Sequence, residues 1–292
     1  MKDVRLAAFD LDGTLLDSAN KISDFTIRQI QKAIDRGIEI VIATGRSVPL
    51  FPEELKRVSG IRYAIVENGA GIYDLKNQRF LFRRTIPYDI VRNRRLSGGG
   101  RRVCRIFSEG NVYSDIENIS RLNQVDKDDN FVSYFRQNHT FVNHLKAQDR
   151  LLENIEKINL FFVNQNVQEK IKMVLKEETE VSATSSIADN IELQNSSVSK
   201  ASGLKWLCDM LGIKKEETIA VGDGDNDRKM LRFAGIGAAM ANASETVKGD
   251  ADVILLSNNE DGALRFCQNI LSLIKNRLHK IDKLFCAIYF SV

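Results

Sequence analysis

The chain has 292 residues, 43% of them hydrophobic, which suits about two domains at roughly 150 residues each and excludes a chain too polar to bury cores. Its 42 basic and 39 acidic residues leave a net charge of +3, so no whole-molecule field argues for a nucleic acid or an anionic membrane as partner. No apolar run reaches the ~18 residues of a membrane span, and no extended apolar signal segment precedes the first strand, so a cytoplasmic protein without a membrane span is expected.

Leu6-Ala7-Ala8-Phe9 reads as a buried strand that stops at Asp10-Leu11-Asp12-Gly13-Thr14. Two carboxylates two residues apart at a strand end repel one another unless a cation sits between them, and a divalent metal is the simplest remedy. Ser23 or Asp24 then caps a helix with Ile27, Ile30, Ala33 and Ile34 on one face, and Gly37 is placed to end it. The run Ile38 to Ala43 is a second strand, ending at Thr44-Gly45-Arg46. Pro52 opens a short helix through Val58, Ile61 to Val66 is a third strand, and Glu67-Asn68-Gly69-Ala70-Gly71 forms the turn after it. Strand, helix, strand with polar residues at each strand end predicts a parallel sheet, whose ligands gather at the carboxyl ends of the strands.

From about Phe82 the pattern changes. Arg92, Arg94, Arg95, Arg101, Arg102 and Arg105 surround Ser97-Gly98-Gly99-Gly100, and periodicity weakens until Leu151. Such a cluster serves either as a solvated basic face or as an attractor of anionic substrates. Strands over 158–163, 180–185 and 191–193 and a helix over 167–176 make this an α+β insertion. The parallel pattern resumes with a helix from Lys200 through Leu204, Leu207 and Leu211, and a strand, Thr218 to Val221, that enters Gly222-Asp223-Gly224-Asp225-Asn226-Asp227. A helix to Phe233, a strand near Ile236 to Met240, a short helix from Ser244, a strand from Val253 to Leu256 and an amphipathic helix through Leu264, Cys267, Leu271, Ile274 and Leu278 complete the order. Cys104, Cys208, Cys267 and Cys286 form no C-x-x-C pair, which fits reduced, inert thiols. His139, His144 and His279 sit in no motif and read as structural or exposed.

Calcium chemistry fails at both acidic stretches, because an EF-hand needs glycine at its sixth position and glutamate at its twelfth. From Asp223 those positions hold Arg228 and Ala234, and from Asp10 they hold Leu15 and Lys21. Neither a P-loop nor a complete dinucleotide fingerprint is present.

Asp10 and Asp12, then Thr44, then Lys200, then the run from Gly222 to Asp227 resemble, in order, spacing and strand context, the four motifs of the haloacid dehalogenase-like (HAD) hydrolases. The large insertion between the second and third motifs, with the Glu67-to-Ala70 turn, resembles the Cof-like subfamily with a type IIB cap. The resemblance implies a Rossmann-like, doubly wound α/β core over 1–82 and 189–292, interrupted by an α+β cap over 83–188. It implies an Mg²⁺-dependent phosphatase acting on a small phosphorylated metabolite, such as a sugar phosphate or a phosphorylated cofactor, through an aspartyl-phosphate. Asp10 would be the nucleophile and Asp12 the general acid and base. Asp10, Asp223 and the backbone carbonyl of Asp12 would hold Mg²⁺, with Asp227 either a ligand or a support for one. Leu11, Thr44, Gly45, Lys200 and Asn226 would bind the phosphoryl group, and Arg46 and Asn68 stand on the substrate side. Taken singly, Thr44 could merely cap a turn, whereas a cation at the start of a helix, as Lys200 is, needs an anion to face. Asp225 reads as a solvated turn residue.

Physics agrees with these roles. A carboxylate approaching a phosphate dianion at 4 Å meets about 8 kcal/mol of repulsion at an effective dielectric of 20, so neutralising charge must precede chemistry. The alternatives are a phosphotransferase or mutase using the same intermediate and, in another class, a non-catalytic phospholigand-binding regulator. Phosphate release without an acceptor separates the first, and retention of Asp10, Asp12, Lys200 and Asp223 speaks against the second. Two departures from the family stand out: Ser196-Ser197 occupies a place where glycine is expected, and the apolar Leu284-to-Val292 terminus, too short to span a bilayer, extends past the family's usual end.

Overall fold

The computed structural model describes residues 4–93, 103–118, 120, 129–161, 163–176, 178–184 and 189–266. Arg94, Arg95, Arg101, Arg102, the 97–100 stretch, Cys267, Cys286 and the apolar terminus lie outside these residues, as does most of the helix expected through Leu278.

A first sheet is built from β1 (Leu6–Phe9), β2 (Glu39–Ala43), β3 (Tyr63–Val66), β4 (Gly71–Asp74) and β5 (Arg79–Arg83), joined by β12 (Thr218–Gly222), β13 (Ile236–Ala239) and β14 (Val253–Ile254). Its order is β14-β13-β12-β1-β2-β3-β4-β5. The six strands from β14 to β3 run parallel, and β4 and β5 extend the edge antiparallel. The parallel core is as expected, and the antiparallel edge is an addition that the sequence pattern did not reveal. The tight Glu67-to-Ala70 turn returns the chain directly onto β3, and a connection that short permits only an antiparallel neighbour.

Alternation along each strand sends residues to opposite faces. On one face Ala7, Phe9, Ile40 and Ile42 pack with Ile27, Ile30 and Ala33 of the helix Asp24–Ile34. On the other Leu6, Ala8, Val41 and Ala43 pack with Leu204, Leu207 and Cys208 of the helix Lys200–Leu211. Apolar residues on both faces of β1 thus demand a helical layer on each side, the doubly wound arrangement. Ser23 caps the first helix by accepting from the Thr26 amide at 3.0 Å. The helix expected after Pro52 is a 3₁₀ turn, Glu53–Arg57.

The second sheet comprises β6 (Val103–Ser108), β7 (Asn111–Asp115), β8 (Thr140–Val142), β9 (Ile155–Phe161), β10 (Val181–Thr184) and β11 (Asn190–Asn195), in the order β10-β11-β9-β6-β7-β8. Its strand β11 lies wholly beyond residue 188. One face is apolar: Cys104, Ile106, Ile158, Leu160, Ile191 and Leu193 pack with Leu175 of the helix Gln165–Leu175. The alternate positions carry Lys157, Asn159, Asn190, Glu192 and Gln194, and these polar side chains are buried too. A buried polar face must find partners, because each unpaired group there costs about 1–3 kcal/mol. Several of those partners lie at the carboxyl edge of the first sheet.

Where the two sheets meet, Glu67 and Glu156 are both fully buried. Glu67 accepts from Ser47 Oγ at 2.8 Å, and Glu156 accepts from Arg83 Nη1 at 3.0 Å and the Glu109 amide at 3.2 Å, while Oε2 of each has no hydrogen-bond partner. Burial pushes the Glu67 carboxyl up to about 7 and, with the neighbouring Glu67, the Glu156 carboxyl up to about 8. A carboxyl whose pKa is raised on folding gives stability that is complete below the unfolded value and is lost as pH climbs through the folded one. The melting temperature is therefore expected to fall by several degrees between pH 5 and 9 in saturating Mg²⁺. Glu156→Gln should flatten that slope. A pH-independent melting temperature in the wild type would contradict this reading.

Candidate active site

Parallel register brings three strand ends together. Phe9 pairs with Ile42 on one side and Val221 on the other, so the residues that follow β1, β2 and β12 emerge side by side: Asp10, Thr44 and Asp223. The Asp10 amide donates to Val221 O at 3.0 Å and the Thr44 amide to Ile65 O at 2.8 Å, carrying the ladder one residue past the strands. Lys200 comes from behind, at the first turn of its helix. That helix start seats tightly on the 67–70 turn, because a Cβ on Gly69, whose φ is +99°, would lie 2.1 Å from Ser199 O.

Lys200 is wholly buried and divides its ammonium between Asp10 Oδ1 at 2.5 Å and Asp227 Oδ1 at 2.7 Å. Asp227 accepts through its other oxygen from the Asp223 and Gly224 amides at 3.0 and 2.9 Å. Thr14 Oγ1 donates to Asp223 Oδ1 at 2.9 Å, and Asn242 Nδ2 donates to Gly13 O at 2.9 Å and Asp223 Oδ2 at 3.3 Å.

Carboxylate oxygens of Asp10, Asp223 and Asp227 lie within 4.8 Å of one another. Three carboxylates face one ammonium. Burial raises the Asp10 carboxyl well above the ordinary range, with Lys200 opposing and Asp227 and Asp223 adding to the rise. Asp223 is pushed up to about 6, chiefly by burial against the Thr14 hydrogen bond. Burial pulls the Lys200 ammonium down, but Asp10 and Asp227 outweigh it and hold it above the usual lysine range. The surplus of hard oxygen donors over positive charge fits a divalent cation.

Asp12 stands apart from this cluster. Its half-exposed carboxylate is gripped by the Arg46 fork, with Nε donating at 3.0 Å and Nη2 at 2.5 Å, and Arg46 Nη1 donates to Leu50 O at 2.9 Å. Leu11 is buried. Its carbonyl accepts the amides of Thr14, Leu15 and Leu16 at 3.2, 3.0 and 2.9 Å, which rolls the chain into a turn at the strand end. Asn68 accepts from Asn226 Nδ2 at 3.0 Å and donates to Glu192 Oε2 at 3.1 Å, so it bridges the 222–227 loop and the second sheet. Gly45 accepts from Lys157 Nζ at 2.6 Å through its carbonyl. Asp225 is exposed. His139 is stacked on Phe135 at 3.7 Å between ring centroids, and burial, with Arg105 nearby, pushes its ring down to about 3.

Sequence reasoning gave no role to Thr14, Asn242, Ser47, Glu67, Lys157 or Glu192. Thr14 was inside the first acidic stretch, where its contact with Asp223 depends on Gly13. Gly13 has φ +80°, and a Cβ there would lie 2.2 Å from Asp223 Oδ2. Gly13→Ala is accordingly expected to cost about 1–3 kcal/mol of stability and to displace Asp223. Calorimetric titration with Mg²⁺ should show weakened binding; unchanged affinity would mean that Asp223 is not held by this contact.

Comparison with known proteins supplies independent findings. The haloacid dehalogenase-like hydrolase family model matches residues 7–266. The chain is 28% identical over 263 residues to the 5-amino-6-(5-phospho-D-ribitylamino)uracil phosphatase YcsE of Bacillus subtilis, covering 90% of this chain and 94% of that protein. It is 30% identical over 273 residues to the chloroplastic endoribonuclease YBEY of Arabidopsis thaliana, covering 87% of this chain but only 44% of that longer relative. Among solved structures, a phosphatase of the HAD superfamily from Bacteroides thetaiotaomicron is 25% identical with a TM-score of 0.74, covering 92% of this chain and 95% of that one. A subclass IIB sugar phosphatase of the same superfamily is 24% identical with a TM-score of 0.75, covering 91% and 98%, a likeness of fold.

Proposed function

We propose that the chain, which belongs to the haloacid dehalogenase-like hydrolases, is a Cof-like phosphatase of the type IIB class that hydrolyses a small phosphorylated metabolite with Mg²⁺ through a phosphoryl-Asp10 intermediate. The observation that carries this reading is the placement of Asp10, Thr44 and Asp223 on adjacent strand ends, with Lys200 held between Asp10 and Asp227. We assign the cap to the inserted second sheet and its helices, from about residue 83 through β11 at Asn195, rather than ending at 188.

A carboxylate oxygen of Asp10 attacks phosphorus as the bond to the leaving oxygen breaks, and Asp12 delivers the proton that oxygen needs. Water then attacks the phosphoryl-Asp10, Asp12 takes its proton, and the departing phosphate restores the Asp10 carboxylate. Thr44 Oγ1, the amides of Leu11 and Gly45, and Asn226 are the phosphoryl-binding groups. Lys200 balances charge beside the nucleophile. Mg²⁺, when bound, supplies positive charge against the phosphoryl oxygens, and Asp10, Asp223 and the Asp12 carbonyl would hold it. Both oxygens of Asp227 are already engaged, which suits it to orienting Lys200 and the 223–224 amides.

Among the described residues no helix is long and apolar enough to cross a membrane. Cys208 is a buried free thiol, which suits a reducing compartment, and we assign the enzyme to the cytoplasm.

The test is phosphate release from a panel of sugar phosphates and phosphorylated cofactor precursors, including the substrate named for the Bacillus subtilis relative, with Mg²⁺ and no added acceptor. Chelation should abolish turnover, and Mg²⁺ should restore it. Persistent turnover in excess chelator would contradict a role for the metal in balancing charge at this site, and turnover only with an added alcohol acceptor would favour a phosphotransferase.

A further inference from the structure

We propose that Lys157, carried on β9 of the second sheet, is a positioning residue for phosphoryl transfer, acting through the Gly45–Arg46 peptide group on the hydroxyl of Thr44. The inference deepens the phosphatase reading and rests on it. Lys157 Nζ donates to Gly45 O at 2.6 Å, and the N–H at the other end of the same peptide group, on Arg46, donates to Thr44 Oγ1 at 3.1 Å. Thr44 is fully buried. An oxygen that accepts from Arg46 directs its own hydrogen elsewhere, which leaves that hydrogen for a phosphoryl oxygen beside Asp10.

A cation at the carbonyl end of an amide polarises it and strengthens its N–H as a donor, and linked hydrogen bonds reinforce one another by about 10–30% per bond. The chain of bonds therefore carries the charge of Lys157 to the Thr44 hydroxyl. Its benefit is largest where negative charge on the phosphoryl oxygens is largest, which is the transition state.

The surroundings of Lys157 support this assignment over that of a simple brace. Lys157 is 2% exposed and lies 4.3 Å from the centroid of the Phe107 ring, with Glu192 Oε2 at 3.5 Å. Burying an ammonium against a backbone carbonyl is a costly way to join two sheets when apolar contact would serve. Glu192 is itself fixed, accepting from Asn159 Nδ2 at 3.2 Å and from Asn68, which holds Asn226. The second sheet thereby touches two phosphate-binding positions at once, Thr44 through Lys157 and Asn226 through Glu192 and Asn68.

The test is a double-mutant cycle on p-nitrophenyl phosphate with Mg²⁺, with orthovanadate inhibition as a second readout. Lys157→Met should lower kcat by about 10- to 100-fold, the range for a lost hydrogen bond to a charged group, with a much smaller change in KM. Vanadate should bind more weakly by a similar factor, and Lys157→Arg, which keeps the charge, should recover part of kcat. In a Thr44→Val background Lys157→Met should cost no more than about twofold. Lys157→Gln retains a donor for the Gly45 carbonyl without the charge, and it carries the same cycle where circular dichroism shows Lys157→Met unfolded. A full, additive loss in the Thr44→Val background, or wild-type kcat in either folded variant, would overturn the inference alone. A wild type inert towards every phosphate ester would overturn the phosphatase reading beneath it.

Discussion

Asp10→Asn is expected to leave a folded protein with turnover reduced by at least about 10⁴-fold, the scale of losing a covalent nucleophile. Asp10 sits one residue past β1 and fills no apolar volume; what it contributes to folding is a contact with Lys200 at 2.5 Å. The substitution removes one of three carboxylates crowded against a single buried ammonium, and Asp227 still holds that ammonium at 2.7 Å. Without Mg²⁺ the variant should therefore melt no lower than the wild type, since the cost of burying the Asp10 charge, with the repulsion from Asp227 and Asp223, outweighs its pairing with Lys200. A melting curve and a phosphate-release assay on one preparation check both halves. Activity within tenfold of wild type would contradict Asp10 as nucleophile.

Asp12→Asn is expected to separate by leaving group rather than to silence the enzyme uniformly. Its carboxylate lies outside the Asp10, Asp223 and Asp227 cluster and is gripped by the two-pronged Arg46 contact, so Mg²⁺ affinity should stay nearly unchanged. Removing the general acid should cost 10²–10⁴-fold where the leaving oxygen must be protonated, as with the alkoxide of a sugar phosphate. An aryl phosphate departs as a stabilised phenolate, so its first step should suffer much less. The second step also needs a base to activate water, and the variant should therefore accumulate phosphoenzyme from the aryl substrate even as steady-state turnover drops. Rapid-quench measurement of the first step on both substrates decides. Equal losses with intact Mg²⁺ binding would move leaving-group protonation to another residue.

How far such a site can be read before folding depends on whether its residues carry a local signal. Asp10, Thr44 and Asp223 each follow a short apolar run at a place where the chain must turn, and Lys200 is an unfavourable cation at a helix start, so each is odd enough to notice. Lys157, Asn159 and Glu192 are not odd at all. In β9 and β11 polar residues alternate with Ile158, Leu160, Ile191 and Leu193, which is the pattern of a strand with one face in water. Only the tertiary arrangement buries that polar face and gives Lys157 the Gly45 carbonyl as a partner. Asn68 was legible as a turn residue at the edge of the site, but its position between Asn226 and Glu192 needed both sheets in place. Glu67 offers a similar lesson: it takes φ +54°, unusual for glutamate, within a turn whose place the sequence marks without showing that its carboxyl is buried.

The most direct test of the covalent mechanism is rapid acid quench of the wild type during turnover of an aryl phosphate, followed by peptide mass analysis. One phosphoryl group on Asp10, formed and lost at rates compatible with kcat and missing from Asp10→Asn, is the expected result. A peptide unmodified at every quench time in Asp12→Asn, where the intermediate should accumulate, or a phosphoryl group on any other residue, would contradict it.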